Sequence, residues 1–222
     1  MTHLLLVGGA ALVAALILVN LAWRWSSQRW QLPCPTWLAW GLSNSLADRL
    51  LATEATLDRL QLVPGMRVLE MGSGPGRLLV PAAHRVLPGG QVVGLDLQPG
   101  MTDRLLARAA AEGLQNVTGM TGDAATTEHA PVSFDLVFLS LTLGEIPDRD
   151  GALRQAWRAL RPGGRLCIAE MFPDPHFVPQ GSVRSLAECV GFVHERTQGR
   201  PWLFTARFVK PDGAREFERG MM

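Results

Sequence analysis

The chain holds 222 residues, with 21 Lys and Arg against 20 Asp and Glu for a net charge of +1. That length suits one ordinary domain with an extension, and the balanced charge lacks the basic surplus of a nucleic-acid-binding protein. Three cysteines, Cys34, Cys167 and Cys189, show no paired spacing; a disulfide framework and a metal site are not expected, and a reducing compartment fits best.

The first element is the run "LLLVGGAALVAALILVNLAW", Leu4 to Trp23, whose strongly polar member is Asn20. About 20 apolar residues is the length needed to cross the hydrocarbon core as a helix. No Lys or Arg precedes the run and no small-x-small cleavage site follows it, so a removed signal peptide fits poorly. Trp23, Trp25 and Trp30 suit the interface, and Arg24 and Arg29 on the C-terminal flank predict a single-pass membrane protein whose catalytic domain is cytoplasmic. Residues 1–30 form this anchor. Residues 31–62 begin with the proline-bounded "QLPCPTW" and continue into amphipathic helices marked by Leu42, Leu46, Leu50, Leu57 and Leu60. Trp37 and Trp40 leave open either a cap on the domain or a role at the membrane surface. Cys34 is a proline-flanked loop cysteine.

From residue 63 to 222 short β-rich runs alternate with helical patterns, as in a parallel sheet built from βαβ units. "RVLEM" is the first strand and 78–87 its helix; "QVVGLDL" is the second strand, followed by a helical face at Met101, Leu105, Leu106 and Ala109. "NVTGMTGDA" and "SFDLVFLSL" are the third and fourth. Leu153, Ala156, Trp157 and Leu160 mark a helix ended by "RPGG", and "RLCIAEMF" is the fifth strand. A helix at 183–190 precedes "HERTQ" and "LFTARFVKP", an antiparallel closing pair. The expected fold is an α/β, Rossmann-like, doubly wound sheet of seven mostly parallel strands, preceded by one transmembrane helix.

Ligands of such sheets bind beyond the carboxyl ends of the strands, near the point where strand order reverses. Glu70, Asp96, Asp123 and Glu170 all fall at or just beyond strand ends and are expected to converge on one rim. The glycines read G-x-G-x-G (Gly72, Gly74, Gly76), not the G-x-G-x-x-G of a dinucleotide site. An acid just before the turn repels a pyrophosphate and suits a cation. Asp96 is placed for ribose hydroxyls and Asp123 for an adenine amino group. S-adenosylmethionine combines an ammonium, a ribose, an adenine and a sulfonium. A nicotinamide-dependent oxidoreductase is the rival reading, and a catalytically silent, membrane-tethered scaffold is a second.

"VLEMGSGPG", "GLDLQPGM", "GDA" (Gly122 to Ala124), "FDLVF" and "ALRPGGRLCIAE" together resemble, in order and spacing, the motifs of the class I S-adenosylmethionine-dependent methyltransferases, over about Val63 to Pro211. The nearest flavour is the branch of ubiquinone/menaquinone C-methyltransferases and small-molecule and phospholipid N-methyltransferases. The resemblance implies a cofactor set of Glu70, Gly72, Ser73, Gly74, Gly76, Asp96, Leu97, Met101, Asp123, Ala124 and Leu141, with Met101 beside the adenine. It also implies a small-molecule or lipid acceptor, and the anchor favours one dissolved in the bilayer. Glu145, in "LTLGEIPD", and His176, in "FPDPHFV", are the candidate acceptor-side catalytic residues; Asp174 shares that loop. Asp135 is read as a structural acid, His84 as a surface residue, and Cys167 and Cys189 as core residues.

Overall fold

The computed structural model describes residues 53–212 continuously, and, of the N-terminal stretch, Gly9, Ala15, Leu18, Val19, Leu21, Ala22, Trp25 and Ser26, all helical. Most of the expected anchor and of the amphipathic segment before residue 53 lies outside the described residues. Among the described residues no helix is long and apolar enough to cross a membrane. Leu18, Val19, Leu21 and Trp25 are all more than half exposed.

The elements run α1 (Thr53–Leu60), β1 (Arg67–Met71), α2 (Leu79–Arg85), β2 (Gln91–Asp96), α3 (Pro99–Ala111), β3 (Val117–Thr121), β4 (Phe134–Ser140), α4 (Arg149–Ala159), β5 (Leu160–Met171), α5 (Gln180–Val190), β6 (Val193–Arg200) and β7 (Leu203–Val209). They form one seven-stranded sheet in the order β3-β2-β1-β4-β5-β7-β6. The first five strands are parallel; β7 runs antiparallel to β5 and to β6. The sheet therefore matches the expected one, and its order reverses between β1 and β4.

The connections place α2 and α3 on one face and α4 and α5 on the other. Alternation of side chains across each strand feeds both faces. Val68, Val92, Leu136, Phe138 and Cys167 pack with Leu57 and Leu60 of α1, Leu79 of α2 and Leu105 of α3. Leu69, Leu95, Val137, Leu139, Leu166 and Ile168 pack on the other face with Leu153, Trp157, Val183 and Ala187. Each such fully buried large side chain contributes about 1.5–3 kcal/mol of transfer free energy.

Two expectations change in detail. The expected stop "RPGG" does not separate α4 from β5: β5 begins at Leu160, which pairs with Phe134. The pairing then jumps to Leu136 with Arg165, so β5 spends three more residues than β4 and bulges there, turning through Gly163 at φ +72°. Lys210 fastens this corner, donating to the carbonyls of Trp157 (2.6 Å) and Leu160 (2.8 Å) at the end of α4. Leu106, expected on the buried face of α3, is 40% exposed.

Candidate active site

Where β1 gives way to α2, three alternate glycines turn the chain. Gly72 has φ +79°, and its amide and that of Ser73 both donate to the Leu95 carbonyl (2.7 and 3.0 Å), tying the loop to the end of β2. A Cβ on Gly72 would overlap the Thr142 side chain, so only glycine admits the segment after β4 at this distance. Thr142 Oγ1 in turn donates to the Gly72 carbonyl at 3.3 Å. Gly76, at φ +81°, lies where a Cβ would meet Leu105 Cδ1 at 2.5 Å, which lets α2 and α3 close on the loop.

Asp96 bridges the glycine loop and α3. Its Oδ2 accepts from the Gly74 amide (2.8 Å) and its Oδ1 from the Gln98 amide (2.9 Å). Burial raises its pKa, and the two backbone donors oppose the rise. Leu97, next in sequence, is 57% exposed, whereas Met101 is only 2% exposed and packs into the fold. Asp123 is exposed and accepts from the Ala125 amide at 2.7 Å; Ala124 packs against the core.

Glu70 is the buried acid of the loop. It is 3% exposed and its Oε2 has no hydrogen-bond partner. Burial holds its pKa well above the usual carboxylate range, Arg77 works against that, and Asp96 adds to it. Arg77 is a residue that sequence reasoning missed. Its Nη1 donates to Thr53 Oγ1 (2.8 Å) and its Nη2 to Ser140 Oγ (3.4 Å), joining the start of α1 to the end of β4 beside Glu70. Both partners are remote in sequence; an Arg directly after the glycine loop was the available signal.

The four rim acids do not meet at one point. Glu70 shares a strand face with Val68, in the cluster of α1, α2 and α3, and Gly94 and Asp96 lie on that face of β2. Glu170 shares a face with Leu166 and Ile168, in the cluster of α4 and α5. Glu170 shares the expected carboxyl rim, but strand parity sets it on the opposite side of the sheet from Glu70. There it is 2% exposed, and its Oε2 accepts from the Val178 amide at 3.2 Å. Burial pushes its pKa up to about 8, with the nearby Asp174 and Glu145 charges assisting and Arg149 opposing.

The segments after β4 and β5 pack on each other. Leu141 takes φ +58°, uncommon for a branched side chain, and its amide donates to the Ala169 carbonyl at 2.9 Å. Arg149 ties down the carbonyls of Leu143 and Gly144, both at 3.1 Å. Glu145 is half-buried and its amide closes a turn onto the Thr142 carbonyl (2.9 Å). His176 is 7% exposed, and its amide donates to Asp174 Oδ1 at 2.7 Å. Asp135 lies at the other end of the sheet, where it accepts from the Arg67 amide (2.7 Å) and pairs with Arg161 Nε (2.6 Å). His84 contacts Glu112 (2.9 Å) on the surface. Cys167 is buried and Cys189 exposed, so Cys189 is not the core residue expected. Among the described residues no group of His, Cys, Asp or Glu is arranged to hold a metal ion.

A glycine cradle at the point of strand reversal, flanked by a buried acceptor and by an acid closing the second strand, fits a cofactor with a cationic tail and a ribose. A methyltransferase-domain family model matches residues 68–164. The aklanonic acid methyltransferase of Streptomyces sp. is 35% identical over 187 residues, covering 77% of this chain and 81% of that protein. The nocamycin O-methyltransferase of Saccharothrix syringae is 39% identical over 119 residues, covering 54% of this chain but only 42% of its own length. In fold, a methyltransferase from Aquifex aeolicus superposes with a TM-score of 0.74 at 21% identity, covering 80% of this chain and all of that one. With the sheet order, the glycine cradle and these relatives in agreement, the chain belongs to the class I S-adenosylmethionine-dependent methyltransferases.

Proposed function

We propose that this methyltransferase is held at a membrane by its N-terminal apolar run and methylates a small, lipid-soluble acceptor, an isoprenoid quinone precursor or a phospholipid head group. The observation that carries the reading is the stretch Leu4–Trp23, whose described members Leu18, Val19 and Leu21 are helical and exposed. Arg24 and Arg29, on the C-terminal flank of the run, support a cytoplasmic catalytic domain. Two curated relatives carry the names of small molecules, nocamycin and aklanonic acid, which supports a small acceptor here.

The cofactor supplies an electrophilic methyl on a good leaving group, so positioning and water exclusion carry most of the acceleration and a dedicated base is optional. In this reading Gly72, Ser73, Gly74 and Gly76 admit the amino-acid tail to the backbone, and Glu70 accepts from its ammonium. Asp96 accepts from the ribose hydroxyls, while Leu97, Met101, Asp123, Ala124 and Leu141 border the base and the transfer site. Glu145 and His176 face the acceptor, orienting its nucleophile or taking its proton. The test is transfer of labelled methyl groups into a membrane lipid extract by the full chain and by a chain lacking residues 1–30. Labelling of a lipid by the full chain, weakened in the shorter one, is expected. Equal turnover of a water-soluble acceptor by both, with no lipid labelled, overturns the proposal.

A further inference from the structure

Because β5 runs parallel to β1 and β4, its carboxyl end lies on the same rim as the glycine loop. The β6–β7 turn reaches that rim too: Met171 pairs with Leu203, and the Phe172 amide donates to the Trp202 carbonyl at 2.8 Å. Two large aromatic side chains stand out of the protein here, Phe172 at 54% and Trp202 at 52% exposure. The Phe172 ring rests edge-on against Phe177 (6.3 Å), and the Arg200 guanidinium lies 5.7 Å from the Trp202 ring centre. Exposed aromatics beside a guanidinium match a surface that is half apolar and half anionic.

The position of α1 bears on what this rim faces. Thr53, its first residue, is held by Arg77, whose other nitrogen reaches Ser140 at the carboxyl end of β4. The 52 residues that precede α1, with the apolar run among them, therefore join the domain at this same rim. The acids nearby do not oppose an anionic surface strongly: Asp174 is half-buried and engages the His176 amide, and Glu145 is half-buried.

We infer that the rim formed by Phe172, Trp202 and Arg200 lies against the bilayer surface, so that the mouth of the active site opens toward lipid. The inference rests on the membrane reading above and adds the face that the domain presents. Trp202 and Phe172 sit at the level of the head groups, and Arg200 pairs with lipid phosphate.

The experiment uses the full chain with vesicles of phosphatidylcholine and phosphatidylglycerol whose acyl chains carry bromine, a contact quencher of tryptophan. The difference in emission between the wild type and Trp202→Phe isolates Trp202 from the other six tryptophans. Calorimetric S-adenosylmethionine binding confirms that the variant is folded. Most of the Trp202 difference emission is expected to be lost on brominated vesicles, and Arg200→Glu is expected to weaken that loss when phosphatidylglycerol is present. If the full chain sediments with vesicles while the Trp202 emission is untouched, the rim faces water or another protein and the inference is overturned with the tether intact. If the full chain does not sediment with vesicles, the tether and the inference fall together.

Discussion

Gly144 and His176 touch through their backbones: a Cβ built on Gly144 would coincide with the His176 carbonyl oxygen. The loop after β5 is thereby seated on the loop after β4, and the two segments expected to meet the acceptor form one unit. Gly144→Ala is expected to push residues 172–178 away, costing about 1–3 kcal/mol by overpacking. Acceptor turnover should fall while cofactor affinity, which the proposed reading assigns to the glycine loop and Asp96, stays close to wild type. Thermal unfolding and calorimetry with S-adenosylmethionine check the two halves; an unchanged turnover would show that the seating of this loop does not matter to the reaction.

Asp96→Ala removes the proposed ribose acceptor and also the bridge from the Gly74 amide to the Gln98 amide. Hydrogen bonds to a charged group are worth roughly 1.5–3 kcal/mol each, so cofactor affinity should drop by roughly 100-fold or more. Asp96→Asn, which keeps an acceptor oxygen, should lose less. Titration calorimetry decides, and an undiminished affinity for either variant would misplace the ribose site.

Arg77 opposes the burial cost of ionising Glu70 while holding Thr53. Arg77→Met leaves the carboxyl with less reason to ionise and α1 without its tie to β4. Two outcomes are expected together: weaker cofactor binding near neutral pH, partly restored as pH rises, and faster amide exchange across residues 53–60. Arg77→Lys should rescue the first more than the second, because it keeps the charge and loses the fork.

Glu170 titrates at about 8 in the folded chain against 4.5 for a free side chain. Between those values the folded state holds a proton that the unfolded state releases. Its contribution to stability is therefore full below about 4.5 and lost as pH rises through about 8. Glu170→Gln keeps an acceptor for the Val178 amide without titrating. Urea unfolding at pH 5 and pH 8 should show the wild type losing more stability than the variant over this interval, by a few kcal/mol at order of magnitude. Identical losses would place Glu170 in a wetter setting than its burial implies.

The strands and the glycine cradle were legible because their signals are local: alternation over five to seven residues, and an acid and three glycines within "VLEMGSGPG". What the sequence hid depends on distance or parity. Arg77 finds Thr53 and Ser140 at separations of 24 and 63 residues, and Thr142 covers Gly72 from 70 residues away. Glu170 was grouped with Glu70 since both end strands; only the register shows that they occupy opposite faces. The early start of β5 was masked by "RPGG", a turn signal that the bulge absorbs.

The outer strand β6 has one more consequence. Among the described residues its outer edge is unpaired, yet its burial is slight, its pairing slips between His194 and Arg196, and it carries Glu195, Arg196 and Arg200. A bent, charged edge is a poor template for a strand from another molecule. Held at a membrane as proposed above, copies of this chain would meet at high local concentration. Under that crowding, the bent and charged border of β6 would disfavour the joining of neighbouring copies into a shared sheet.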